Sequence, residues 1–167
     1  MAPSLLLDYT AFDFSRPQHG VEDIEAVNPH RGAMRLLDAI VYASDDLTRA
    51  VAYKDVRDDE FWVPGHIPGQ PLFPGVLMIE AAAQLASFVC LPRLPDQGFM
   101  GFAGVDGVKF RGQVLPGDRL TILLQEKEFR RRRCVCQTQG VVDGNLVFEA
   151  TITGMPMAVR AASASGA

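Results

Sequence analysis

Residues 75–90 are predicted to form one helix that is apolar on nearly every side. A helix of this kind is buried on most of its surface. Its interior polar residues are Glu80, Gln84 and Ser87, and their i+4 and i+3 spacing puts all three side chains on one face. The fold must therefore enclose this helix while leaving one polar line along it.

The segment just before the helix, residues 64–74, is predicted to be an ordered loop. It contains four prolines and two glycines, a spacing that excludes both a helix and a central strand. Pro74 is expected to be the first helical residue, where its missing N–H costs nothing.

Alternating apolar and polar residues predict strands on both sides of the helix. They lie at 36–42, 47–56, 99–105, 108–114, 119–129, 134–142 and 146–153. Turn residues at 116–118 and 143–145 separate some of them, and the second turn is of the hairpin type. One early apolar helix followed by antiparallel strands predicts an α+β fold, a curved sheet around a helix.

The chain of 167 residues, 48% hydrophobic, fits one domain, expected at residues 21–157. It follows an N-terminal extension (1–20), which we expect to dock on the domain, and precedes a flexible tail (158–167).

A net charge of −4 argues against nucleic-acid binding, and four arginines at 130–133 are interpreted as a solvated strand end. Three cysteines without CxxC spacing indicate reduced thiols. We expect no secretory signal and no membrane-spanning stretch, hence a soluble, cytoplasmic protein.

Glu80 is the residue least expected inside such a helix. Because a buried carboxylate is costly, its pKa is expected to rise until it stays protonated near neutral pH. A raised carboxyl pKa in an apolar site is what a general acid requires. The alternative is a glutamate that emerges at a subunit edge and pairs with a basic residue.

Gly75 and His66 are two further candidates. The backbone N–H of Gly75 has no partner inside the helix and can polarise a carbonyl oxygen. The glycine can equally do no more than end the loop and begin the helix. His66 lies in a stretch whose prolines and glycines fix the backbone, and histidine suits proton abstraction near neutral pH. A single loop histidine is more often incidental, however, and spacing alone assigns no role to His19 or His30.

The whole segment around these residues resembles the signature of a known family, the 3-hydroxyacyl-[acyl carrier protein] dehydratases of bacterial type II fatty acid synthesis (FabZ type). The segment runs Gly65-His66-Ile67-Pro68-Gly69, then Phe73-Pro74-Gly75, then Glu80-Ala81-Ala82-Ala83-Gln84. Similar segments are Asn28-Pro29-His30-Arg31, Leu36-Leu37-Asp38, Phe102 to Arg111, Pro116-Gly117-Asp118 and Val142-Asp143-Gly144. The resemblance covers about residues 22–156. It departs from the family at 32–35, 63–64 and 112–113, which puts substrate length and carrier docking in doubt.

The resemblance implies a hot-dog fold and a homodimer in which His66 of one chain faces Glu80 of the other; trimers of dimers are common in the family. It implies a 3-hydroxyacyl substrate on the phosphopantetheine arm of acyl carrier protein, and neither metal nor redox cofactor. His66 would remove the α proton, Gly75 would stabilise the carbonyl oxygen, Glu80 would protonate the leaving hydroxyl, and Gln84 would orient Glu80. Glu at position 80 resembles the plain dehydratase subgroup, not the dehydratase/isomerase subgroup.

Because acyl carrier proteins are acidic, docking is expected at basic residues, Lys109 and Arg111 first and the arginines at 130–133 next. Two other functions stay open: a hot-dog acyl thioesterase and a non-catalytic acyl-binding subunit. The pairing of His66 with Glu80 argues against the first, and the second would require a lost catalytic residue. A zinc protein is disfavoured because no His/Cys spacing fits.

Overall fold

The computed structural model describes residues 4–94 and 98–158, and in this part of the chain a six-stranded antiparallel sheet wraps one long helix. The strands are β1 Ala39–Ala43, β2 Arg49–Asp55, β3 Phe99–Phe110, β4 Arg119–Arg130, β5 Arg133–Val142 and β6 Asn145–Met157, in the order β1-β2-β4-β5-β6-β3. The helices are α1 Val21–Val27 and α2 Gly75–Cys90, with short 3-10 turns at Tyr9–Ala11, Gly32–Met34 and Leu91–Arg93. The predicted hot-dog α+β class is confirmed.

Helix α2 forms the centre of the core, and its predicted bounds agree with the structure. Pro74 is its N-cap and not, as predicted, its first helical residue, because the Pro74 carbonyl accepts the N–H groups of Leu77 and Met78. Contrary to expectation, the run Gly75–Arg93 is long and apolar enough to cross a membrane by composition. In this fold the run includes the core helix α2, and a buried core helix meets the same criteria of length and composition as a membrane span.

Two strands differ from the sequence prediction. β1 starts at Ala39 and not at residue 36, because the N–H of Leu36 donates to the side chain of Gln84 and not to a neighbouring strand. β3 is one strand where two were predicted. Around Gly107 its register with β6 shifts and the backbone takes a φ of 61°, so the strand bends there without ending.

The predicted hairpin turn between β5 and β6 is confirmed. Asp143 and Gly144 both have positive φ, 47° and 80°, as the central residues of a type I′ turn do. The four arginines surround the exposed turn between β4 and β5, where Arg130 pairs with Glu128 at 2.8 Å. The interpretation of this run as a solvated strand end is confirmed.

The described part of the N-terminal extension lies against the sheet, on the side opposite α2. Its apolar side chains pack on a cluster formed by Val41, Val51, Leu123 and Val141. Phe12 stacks on Tyr42 with 4.3 Å between ring centroids, and Gln139 hydrogen-bonds the backbone of Ser4 and Leu6. Of the predicted tail, residues 159–167 lie outside the described residues. All three cysteines are free and buried.

Candidate active site

One face of α2 opens onto a cavity of about 290 Å³. The helix contributes Glu80, Ala83, Gln84 and Ser87 to its wall, so the predicted common face of the three polar residues is confirmed. Strands β3 and β6 supply a mainly apolar opposite wall, and the segment before β1 closes one side. The two strands contribute Met100, Phe102, Ile152 and Gly154, and the segment before β1 contributes Pro29 and His30.

Glu80 lies in this wall with a side chain that is 27% exposed. Its Oε1 atom lies 2.9 Å from Nε2 of Gln84 and 3.2 Å from Nε2 of His30. Both contacts fall on the same oxygen. Within the described residues, Oε2 of Glu80 takes part in no hydrogen bond or ion pair.

The pKa of Glu80 is lowered in this protomer, so the predicted rise is wrong. Burial of the carboxyl acts to raise the pKa, as expected from the sequence. The close contact with His30 and the hydrogen bond from Gln84 stabilise the carboxylate and outweigh that burial. The alternative considered from the sequence, a glutamate paired with a basic residue, therefore describes the isolated protomer better.

Gln84 is almost fully buried and its amide orientation is fixed by its partners. Its oxygen accepts the N–H of Leu36 at 2.9 Å, so its nitrogen faces both Glu80 and the carbonyl of Met34. The backbone carbonyl of Gln84 accepts the side-chain N–H of Asn28 at 2.9 Å. The predicted orienting residue thus lies in contact with Glu80 and joins α2 to the segment that precedes β1.

His30 is a site residue that the sequence reasoning missed. It lies fifty positions before Glu80, and no local periodicity connects the two residues. The available signal was the Asn28-Pro29-His30-Arg31 segment, which was noted only for its resemblance. Arg31 holds this segment through the carbonyls of Glu25, Asn28 and His30, at 2.7 to 2.8 Å.

His66 lies in the loop before α2, and within the described protomer it does not contact Glu80. Its Nδ1 atom lies 2.6 Å from the carbonyl oxygen of Leu72. Because a carbonyl can only accept, Nδ1 carries the hydrogen, and Nε2 of the neutral ring is left with a lone pair. That is the arrangement of a base that removes a proton through Nε2.

Gly75 is the first residue of α2, and in the described structure its N–H donates no hydrogen bond. The ring of Phe110 lies over it so closely that a Cβ at this position would be 2.7 Å from two ring carbons. A side chain here would have to displace the half-exposed ring of Phe110, and it would also hinder any ligand that approaches the N–H.

Lys109 and Arg111 both contact the carboxylate of Glu149, at 3.4 and 2.7 Å. Neither lines the cavity beside Glu80 in the protomer. Their positive charges are partly compensated by this shared partner, so the surface is less basic than the sequence suggests.

The fold and the cavity define a hot-dog protein, and comparison with known proteins narrows the class. Residues 28–151 match the family model described as a FabA-like domain. A 3-hydroxyacyl-[acyl-carrier-protein] dehydratase FabZ of Herpetosiphon aurantiacus is 41% identical over 133 residues, which is 77% of this chain and 92% of that protein. A FabZ of Streptococcus equi subsp. zooepidemicus is 40% identical over 134 residues, 80% and 94% of the two chains. The chain therefore belongs to the FabA-like family, among its FabZ-type dehydratases.

Solved structures with low sequence identity share the fold. The dehydratase heterocomplex ApeI:P from Xenorhabdus doucetiae gives a TM-score of 0.68 at 16% identity, covering 80% of this chain and 90% of that one. A hypothetical thioesterase of Streptococcus pneumoniae with coenzyme A gives 0.56 at 15% identity, covering 84% and 95%. Because both activities occur on this fold, the fold alone does not choose between them.

Proposed function

We propose that the protein dehydrates 3-hydroxyacyl thioesters carried on acyl carrier protein, giving trans-2-enoyl thioesters and water in fatty acid or related lipid synthesis. The observation that carries the proposal is Glu80, an ionisable side chain on the core helix that faces an otherwise mainly apolar cavity. Such a cavity accepts an acyl chain, and the carboxyl is the group that can supply a proton to a leaving hydroxyl. The FabZ-type membership supports the same reaction.

Three groups of the protein take part in the proposed reaction. Nε2 of His66 takes the proton from C2, and the electron pair of that bond forms the C2–C3 double bond. The N–H of Gly75 stabilises the negative charge that develops on the thioester oxygen. Glu80 gives its proton to the hydroxyl on C3, the C3–O bond breaks and water leaves. His66 has then gained one proton and Glu80 has lost one, so proton exchange with solvent restores the starting state.

The lowered pKa of Glu80 in the free protomer places a condition on this scheme. The acid step needs a protonated Glu80, whereas the hydrogen bonds from His30 and Gln84 favour the carboxylate. An acyl chain that fills the cavity removes water from the carboxyl, and desolvation raises its pKa. Substrate binding therefore increases the protonated fraction at the point where it is needed.

The site is proposed to form between two chains, each supplying one member of the His66–Glu80 pair. Supporting this, β3 is an end strand of the described sheet, and end strands can pair with another chain. Apolar residues beside that edge and at the start of α2 are exposed: Val76, Phe102, Phe110, Met155 and Met157. Exposed apolar patches of this kind commonly mark an interface. We propose a homodimer, with trimers of dimers as a further step.

The proposed reaction is complete with an acid, a base and an N–H donor, so it requires no metal or redox cofactor. The partner is acyl carrier protein, whose phosphopantetheine arm brings the substrate, and no nucleic acid or membrane takes part. We propose a soluble, cytoplasmic protein for the same reason that we propose this partner, namely its FabZ-type relatives.

Carrier docking is proposed at Lys109 and Arg111, with the arginines at 130–133 as a second surface. Replacing Lys109 and Arg111 together by glutamate should raise KM for the carrier-bound substrate and leave KM for a small thioester analogue unchanged, since charge complementarity mainly speeds encounter. Replacing Arg130 and Arg131 together by glutamate is the equal change of charge on the second surface, and the surface whose reversal raises KM for the carrier-bound substrate more is the docking surface. An equal effect of the double variant on both substrates would assign Lys109 and Arg111 to folding or chemistry instead of docking.

The direct experiment is mass spectrometry of carrier-bound 3-hydroxyacyl chains of several lengths after incubation with the protein. The proposal predicts loss of one water and an intact thioester. Release of the free carrier thiol would instead identify a thioesterase, and binding without any mass change would identify a non-catalytic subunit. Glu80→Gln serves as the inactive control.

A further inference from the structure

His30 contacts the carboxylate that the proposed reaction uses as its acid. Its Nε2 atom lies 3.2 Å from Oε1 of Glu80, and its ring forms part of the cavity wall. His30 is about three-quarters buried, so this contact is shielded from bulk water on most sides. Its Nδ1 atom is buried and finds no partner among the described residues, so the Glu80 contact is the ring's one polar interaction there.

The segment that carries His30 is fixed to α2 independently of that contact. Asn28 donates to the carbonyl of Gln84, and Arg31 binds three carbonyls of the segment and of α1. The position of the imidazole is therefore set before Glu80 reacts. A donor held in place in this way stabilises charge at no cost in reorganisation.

The two donors on Oε1 also distinguish the oxygens of Glu80. Oε1 faces the N–H of Gln84 and Nε2 of His30, whereas Oε2 has no partner in the described protomer. An oxygen that accepts the N–H of Gln84 and lies 3.2 Å from Nε2 of His30 has little capacity left to hold a proton. The transferable proton accordingly belongs on Oε2, the oxygen that has no partner in the described protomer.

Resting on the proposed function, we infer that His30 is a positioning residue that holds Oε1 of Glu80, so that Glu80 donates its proton to the substrate hydroxyl from Oε2. When the Oε2–H bond breaks, the new negative charge spreads to Oε1, where His30 and Gln84 stabilise it. His30 thereby makes Glu80 a stronger acid. In the described protomer no other ionisable side chain forms a hydrogen bond or ion pair with Glu80, and the proposed dimer adds His66 from the second chain.

The test compares His30→Phe, which keeps a ring but has no donor, with His30→Gln, which keeps an N–H donor. His30→Phe should lower kcat by about tenfold or more, because a hydrogen bond to a developing charge is lost, and should change KM less than kcat. Losing a contact that stabilises the carboxylate raises the pKa of Glu80, so the limb of the pH profile that Glu80 produces should move to higher pH. His30→Gln should keep most of kcat and a limb near that of the wild type.

His19→Phe is the matched control, because His19 is a partly exposed histidine outside the cavity. Thermal unfolding of each variant identifies a folding defect, and if His30→Phe does not fold, the contrast between His30→Gln and His30→Leu replaces it. An unmoved Glu80 limb with unchanged kcat in His30→Phe would overturn the inference, and so would equal losses in the Phe and Gln variants. Absence of dehydration by the wild type would instead refute the proposed function.

Discussion

Replacing Lys54 by methionine is expected to destabilise the protein strongly, although the change keeps the length of the side chain. Lys54 lies on β2 with 1% of its side chain exposed, and its ammonium lies 2.5 Å from Oε1 of Glu60, which is 8% exposed. Removing one partner of a buried ion pair leaves the other charge uncompensated and costs about 3–5 kcal/mol. Arg57, 3.9 Å from the same oxygen and half exposed, compensates little.

The magnitude translates into a large shift of the unfolding midpoint. For a chain of this size each kcal/mol moves Tm by about 2–4 °C, so Lys54→Met should lower Tm by about 6–20 °C. Glu60 also belongs to the segment that leads to His66: its carbonyl accepts from Val63, and the carbonyl of Trp62 accepts from His66. Turnover should therefore fall even well below Tm.

Denaturant unfolding at fixed protein concentration measures the free energy, and two variants control it. The double variant Lys54→Met, Glu60→Leu removes both charges and should recover most of the loss, since replacing a whole buried pair by apolar groups is often neutral. Arg130→Met breaks an exposed pair and should cost no more than about 1 kcal/mol. A Lys54→Met protein as stable as the Arg130→Met variant, or a double variant no better than the single one, would refute the reasoning.

Two further predictions concern the site itself. Gly75→Ala should destabilise by about 0.5–1.5 kcal/mol, the cost of displacing the half-exposed ring of Phe110 from its rotamer. Adding Phe110→Ala should restore unfolding stability but not turnover, and recovery of both would leave Gly75 with a packing role only. In the wild type, the limb of the pH profile that Glu80 produces should lie at higher pH for kcat than for kcat/KM, because the bound acyl chain raises the pKa of Glu80. Coincident Glu80 limbs in steady-state assays would contradict this.

Much of the fold was predictable because its signals are local. The bounds of α2, the Asp143-Gly144 turn and the strands β4 to β6 follow from periodicity and turn chemistry, which act over a few residues. The errors have non-local causes. β1 is shorter than predicted because Gln84, far along the chain, takes the N–H of Leu36. β3 continues through Gly107 because its pairing with β6 tolerates a bulge there.

The candidate site shows the same difference between residues with local sequence signals and contacts that form only on folding. Glu80, Gln84 and Gly75 were predicted as site residues because a polar residue in an apolar helix and a glycine at its start stand out in the sequence. The contact of His30 with Glu80 exists only after the chain folds back on α2, and no spacing rule predicts it. The same contact made the predicted direction of the Glu80 pKa wrong, since burial alone was considered and the donors were not.

The most direct test of the account is activity in a mixture of two inactive variants, His66→Ala and Glu80→Gln. Each variant alone should lose about 10²–10⁴-fold in turnover, as acid–base residues typically do. If each site combines His66 of one chain with Glu80 of the other, a mixed dimer contains one intact site. Co-refolded equal amounts should then recover about a quarter of wild-type activity, since about half of the dimers are mixed and each has one working site of two. A mixture that stays at the summed activity of the two variants would contradict the account.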